Sequence, residues 1–186
     1  MSGSVYAVVL NWNNYLDTRE CILSIGDSVD RIVLVDNGSS HECVSRLRRD
    51  FGSNPAVHII QNATNVGFAA GVNIGIQYSL ERGANYILLV NNDVVLDGEC
   101  VTLLLDILEK NPKAGLAGPR IFYYKEPDRI WQGGGYFSYL RMGIYVPEKG
   151  KGTGWYDLAP RRVDFVTGCV VLIKSTVFER VGLFDD

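Results

Sequence analysis

Along this chain the apolar residues gather in short unbroken runs, separated by stretches where they recur every three or four positions. Val5–Leu10, Arg31–Val35, Ala56–Ile60 and Tyr86–Val90 are the runs, and each predicts a buried strand. Between them the spacing turns helical. Leu16–Ile25 places Leu16, Ile22, Leu23 and Ile25 at helical intervals, and His41–Phe51 predicts a second helix capped by Ser39 or Ser40. Phe68–Leu80 predicts a third helix. Val101–Leu108 predicts a fourth, with Leu104, Leu105 and Leu108 on one face and Asn111-Pro112 as its stop. Strands alternate with helices and read as continuous Val, Ile and Leu. An α/β fold follows, with a central, mainly parallel sheet flanked by helices in a Rossmann-like manner.

In such a sheet ligands bind at the carboxyl ends of the strands. The four runs end there in "LNWNN", "DNGSS", "NATNVG" and "NNDVV", so four polar clusters are expected on one rim. Beyond Gly118 the alternation stops. Residues 119–162 are rich in aromatics and glycine with no clear helix; Gly133–Gly135 predicts a turn or a close approach, and Lys149–Gly154 a mobile basic loop. "VDFVTGCVVLIKSTVFERVGLFDD" then returns to a strand and a short helix from about Ser175.

At 186 residues the length suits one domain, and the net charge of -3 gives no reason to expect nucleic acid as a partner. No apolar stretch reaches a membrane span, and the first residues lack the pattern of a signal peptide. Cys21, Cys43, Cys100 and Cys169 are scattered without a C-x-x-C pair, which argues against a zinc site and for reduced thiols in a cytoplasmic protein. His41 and His58 stand alone.

Each cluster has a chemical and a purely structural reading. Asn37-Gly38-Ser39-Ser40 makes a good turn and cap, yet Asp36 at the end of "RIVLV" also suits a base imide or a ribose hydroxyl. Gly71 and Gly75 favour close helix packing, whereas Gly67 can start a helix whose N–H groups approach a phosphate. Asn73 is a poor helix former and needs a partner. Trp12 is either a core residue or a ring stacked on a base. Asp93 interrupts an apolar segment. An unpaired carboxylate resists burial, so it belongs at an exposed tip or opposite a compensating charge. Beside a diphosphate, one such carboxylate suits a divalent cation. Neither G-x-G-x-x-G nor a P-loop is present, which excludes a typical dinucleotide dehydrogenase.

The segments "VVLNWNN", "IVLVDNGSS", "NVGFAAGVNIGI", "YILLVNNDVVL" and "VTGCVVLIKSTVFERVGLFDD" together resemble the family 2 inverting glycosyltransferases of GT-A fold, especially their rhamnosyltransferase-like branch. The resemblance implies transfer of a sugar from a UDP- or dTDP-linked donor to an acceptor hydroxyl, assisted by Mg²⁺ or Mn²⁺. It implies that Leu10, Asn11 and Trp12 line the base and that Asp36 bonds it. Gly67, Phe68 and Asn73 would shape the diphosphate and ribose wall. Asn91-Asn92-Asp93 takes the place of D-x-D, with Asp93 on the metal, and Thr167 and Gly168 fall in the segment closing over the donor. Residues 1–118 would form the nucleotide-sugar-binding half and 119–186 part of an acceptor-side half. The acceptor would be a saccharide or a lipid-linked saccharide, with peripheral membrane association or a homodimer as further expectations. Two departures stand out. Asn91 replaces the first acid of D-x-D, and the resemblance places the general base at the Asp of a Glu-Asp pair that lies beyond "GLFDD" in the family. The chain is therefore expected to be truncated before that base, leaving Asp185 and Asp186 as weak candidates; an inactive nucleotide-sugar-binding module is the alternative.

Overall fold

The computed structural model describes residues 3–140, 142–152 and 159–186. Its first segment is the expected alternation: β1 (Val5–Asn11), α1 (Tyr15–Ile25), β2 (Arg31–Asp36), α2 (His41–Phe51), β3 (Val57–Gln61), α3 (Phe68–Glu81), β4 (Tyr86–Asn91) and α4 (Cys100–Lys110). Then come β5 (Leu116–Ala117), β6 (Ile121–Tyr123), β7 (Glu126–Gln132), β8 (Tyr136–Ser138), β9 (Gly143–Tyr145), β10 (Val170–Lys174) and α5 (Ser175–Val181).

A six-stranded sheet runs in the order β3-β2-β1-β4-β10-β5. The first four strands are mutually parallel, and β10 is antiparallel to both β4 and β5. Alternate residues on each strand feed opposite cores, which is why the strands read as continuous apolar runs. Ala7, Val9, Leu34 and Leu88 face α1, α2 and α4, whereas Val8, Val33, Val35 and Leu89 face α3 and α5. Each fully buried Val, Leu or Ile contributes roughly 1.5–3 kcal/mol, so the two layers together hold the sheet.

Helix α1 packs through Thr18, Cys21, Ile22 and Ile25. Leu16 and Leu23, expected on that face, are 68% and 54% exposed. They sit seven residues apart on the outer side, where helical spacing alone does not say which stripe meets the sheet. Ser40 rather than Ser39 caps α2, accepting a hydrogen bond from the Cys43 N–H. Ser39 serves β1 instead, its Oγ accepting from the Asn13 N–H at 2.8 Å.

The segment after β5 forms two hairpins, β6–β7 and β8–β9, which lie outside the main sheet. The close approach predicted for Gly133–Gly135 is present: a Cβ at Gly135 would sit 2.4 Å from the Phe165 ring, and one at Gly133 would sit 2.5 Å from Glu148 Oε2. The basic segment from Lys149 is tied down as far as Gly152, since Gly150 N–H donates to Ile130 and Lys151 accepts from the Ile130 N–H. Residues 153 and 154 of the predicted loop lie outside the described residues. No helix is long and apolar enough to cross a membrane among the described residues.

Candidate functional site

Strand register brings the polar clusters to one edge. Asn11 pairs with Asp36, Asp36 with Gln61, and Leu10 with Asn91, all at the carboxyl ends of the parallel strands. The clusters meet there, but most of their polar groups bond to one another. Asn37 is buried; its Nδ2 donates to Asn65 Oδ1 and to the Gly67 carbonyl, and its Oδ1 accepts from Asn62 Nδ2 and the Val66 N–H. One amide thus stitches the turn after β2 to the loop after β3. Gly38 allows that contact, with a φ of +75° and Thr64 backbone 2.4 Å from where a Cβ would lie.

Asn11 and Asp36 are both fully buried. Asn11 Nδ2 donates to Asp36 Oδ1 at 2.7 Å, and the other carboxylate oxygen accepts the Ser39 N–H at 3.1 Å. Neither residue lines the cleft beside them. Their place in the structure is behind the wall, joining β1 to β2.

The cleft itself has a volume of about 280 Å³ and an apolar floor of Val8, Leu10, Val72, Leu89 and Val90. Trp12 and Phe68 stand on its rim, 57% and 54% exposed, so the tryptophan is not a core residue. Asn14, Asn91, Asn92, Asp93 and Gly168 complete the lining. Gly67 starts α3 with a φ of +88° at the same end, and no atom within 4 Å would meet a Cβ there. Thr167 turns the chain into β10, its Oγ1 accepting from the Cys169 N–H at 3.2 Å.

Asp93 is exposed and takes no hydrogen bond or ion pair among the described residues. Among the described residues it is the one carboxylate in the lining, and no described Lys, Arg or His lines the cleft with it. Its charge reaches the thiol of Cys169, which burial pushes up to about 11 with Asp93 adding to the rise. A diphosphate entering here would meet a negative group and no fixed cation. A divalent cation fits the site: one carboxylate and nearby amides, open to ligand oxygens and water, suit Mg²⁺-like coordination.

Asn73 lies away from the cleft. It is buried on α3, and its partner is main chain 111 residues away: Nδ2 donates to the Phe184 carbonyl at 2.8 Å, and Oδ1 accepts the Phe184 N–H at 3.0 Å. Asp185 and Asp186 follow that latch, exposed and outside the cleft lining. Two organisers escaped sequence reasoning. Asn37 was read only as a turn residue, and Thr18, fully buried between Asn11 and Asn92, looked like any polar residue of a helix.

The sequence pattern that defines glycosyl transferase family 2 matches residues 6–182. The chain belongs to this family. The match runs across the whole sheet and the cleft, and includes all four strand tips. Among curated relatives, this family 2 chain is 27% identical to the dTDP-rhamnosyl transferase RfbF of Shigella flexneri over 100% of its own length. It spans 59% of that relative. In structure it resembles a mannosyltransferase from Pyrobaculum calidifontis, solved with GDP-Man and Mn²⁺, at a TM-score of 0.69 and 14% identity, covering 100% of this chain and 48% of that one. It also resembles GalNAc-T7, solved with UDP, GalNAc and Mn²⁺, at a TM-score of 0.76 and 16% identity, covering 98% of this chain and 37% of that one. At such identities the likeness is one of fold, and it bears out the expected GT-A architecture.

Proposed function

We propose that the chain forms the donor-binding part of a metal-assisted, inverting glycosyltransferase that uses a UDP- or dTDP-linked sugar. One observation carries this reading: among the described residues, the cleft at the strand tips presents a lone carboxylate, Asp93, and no basic side chain. Such a cleft holds a diphosphate more tightly with a divalent cation between them. The complexes of the two structural neighbours with nucleotide sugar or nucleotide and Mn²⁺ support the assignment.

In this reading Trp12 and Phe68 offer ring faces to the base and ribose at the rim. The apolar floor excludes water, and Asp93 with Asn91 and Asn92 would hold the cation. When bound, the cation supplies Lewis-acid stabilisation of the departing diphosphate. Asp36 and Asn11 act from behind by fixing the wall, and Thr167-Gly168 borders the donor sugar. The displacement also needs a base within hydrogen-bond reach of the acceptor hydroxyl. Asp93 is already assigned to the cation, so the base comes from outside the lining described above. Residues 1–118 are the nucleotide-sugar half in this assignment, completed by β10 and α5.

A saccharide, free or lipid-linked, is the proposed acceptor. Residues 119–163 carry eight Lys or Arg against four Asp or Glu, whereas the remainder carries ten against seventeen. The β8–β9 hairpin in that basic segment leaves Tyr139, Leu140 and Met142 almost wholly exposed. Both features support contact with an anionic, partly apolar acceptor at a membrane surface. A homodimer through the same hairpin is the competing use, and light scattering after gel filtration separates the two. Four free cysteines fit a reducing, cytoplasmic setting.

Isothermal titration with UDP and dTDP tests the core of the proposal. Binding is expected to strengthen with Mn²⁺, and Asp93→Ala is expected to abolish that gain. Failure to bind either nucleotide, or binding indifferent to both Mn²⁺ and Asp93→Ala, would overturn it.

A further inference from the structure

Thr18 sits at the centre of a hydrogen-bond chain that links three strand tips. The chain has a direction, and that direction can be worked out from donors and acceptors whose identity is certain. The Asn14 backbone N–H donates to one end of the Asn11 amide at 3.3 Å, so that end is the oxygen. The opposite end, facing Asp36 at 2.7 Å, is therefore the NH₂ group. Thr18 Oγ1 has a single proton and two pure acceptors in reach, Asn11 Oδ1 at 2.8 Å and the Asn14 carbonyl at 2.6 Å. Whichever receives the proton, none is left for a third neighbour. The Asn92 amide, 2.9 Å away, must then turn its NH₂ group toward Thr18. Its oxygen carries no hydrogen bond from the described residues, and Asn92 lines the cleft next to Asp93.

We propose that Thr18 is a positioning residue which, through this one-way chain, makes Asn92 present an oxygen rather than an NH₂ group to the cleft. The inference rests on the cation site proposed above and adds to it. An amide oxygen beside the Asp93 carboxylate provides a second hard ligand for a divalent cation where Asn91 has removed an acid, while a donor NH₂ group there would repel it. It also explains why a fully buried threonine on α1 is tied to the tip of β4, which is 74 residues away.

The test compares Thr18→Val, which keeps the shape and removes the hydroxyl, with Thr18→Ser, which restores it, and with Asp93→Ala. Mn²⁺ affinity is read by electron paramagnetic resonance in the presence of UDP, and UDP affinity without metal by calorimetry. Thr18→Val is expected to weaken Mn²⁺ binding about 10- to 100-fold, the usual effect of losing a residue that orients a ligand. Thr18→Ser is expected to bind Mn²⁺ like the wild type, and metal-free UDP affinity to stay unchanged in both. If Thr18→Val binds Mn²⁺ normally while Asp93→Ala does not, the positioning role is wrong and the cation site stands. If Asp93→Ala also binds normally, the cation site itself is wrong, and the positioning role falls with it. Should Thr18→Val fail to fold, nuclear magnetic resonance of the wild type decides: the Asn92 side-chain NH₂ protons exchange slowly if they are held by Thr18, and exchange at the rate of a solvated amide would overturn the proposal.

Discussion

Asp93 and Asn73 were both singled out from sequence as polar residues in apolar surroundings, and the fold treats them in opposite ways. Asp93 stays exposed beyond the tip of β4, where no described residue answers its charge. That charge gives a local readout. Cys169 is held near 11 by burial first and by Asp93 second, so its alkylation by iodoacetamide at pH 8 should be slow. Asp93→Asn should speed it a few-fold; an unchanged rate would show that the two groups are not coupled. Asn73 instead resolves its poor helical propensity by bonding to both backbone groups of Phe184. Replacing it with Ala removes two part-buried hydrogen bonds, which together contribute about 1–3 kcal/mol. The expected result is a lower melting temperature and faster amide exchange at Phe184, with UDP affinity preserved because Asn73 does not line the cleft.

Among the elements, α3 shows how a bare helix face sets the cleft. A Cβ at Gly75 would lie 2.5 Å from Val8 Cγ1 and 3.0 Å from Val35 Cγ2, both on the sheet. One at Gly71 would lie 2.7 Å from Leu10 Cδ1, on the cleft floor. The structural reading of these two glycines is therefore the right one, and α3 rests on β1 at the distance they permit. Gly75→Ala should destabilise the chain by about 1–3 kcal/mol, because stiff β-branched neighbours cannot give way. Gly71→Ala meets a flexible leucine instead, so its larger effect should be on nucleotide affinity, with Leu10 pushed into the cleft. Equal effects of the two substitutions on both stability and affinity would contradict this division.

At the scale of the whole molecule, the hairpin segment is braced by one buried acid. Glu148 takes hydrogen bonds from Arg120 Nε at 3.0 Å and Arg161 Nη1 at 2.7 Å. Burial alone would raise its pKa, but the two guanidinium groups outweigh it and hold the carboxyl below the ordinary 4.5. The unfolded chain therefore takes up this proton first as pH falls. The contribution to stability is complete above about 4.5 and disappears as pH drops through the lowered folded value. Glu148→Gln should lower the urea midpoint at pH 7, with a loss of about 1–3 kcal/mol in unfolding free energy, because the carboxylate is buried while its arginine partners stay partly exposed. The gap to wild type should narrow below pH 4.5, and a gap constant down to pH 3.5 would rule out this source of stability.

Much of this protein was legible along the chain. Apolar runs and helical spacings determine β1 to β4 and the helices between them, since strands buried on both faces have no other composition open to them. The convergence of the polar clusters on one rim follows from parallel order alone, and the family-wide segments carried the GT-A expectation. Which side chains on that rim line the cleft was decided only in three dimensions. Asp36 and Asn11 look as exposed as Asp93 in the sequence, yet they are buried by bonds to Ser39, Thr18 and each other. The outward stripe of α1, the hold of Asn73 on Phe184 and the braced loop after Lys149 were likewise settled by partners far along the chain. Local periodicity records what a residue prefers, whereas a hydrogen bond across 25 or 111 residues exists only after the sheet has assembled.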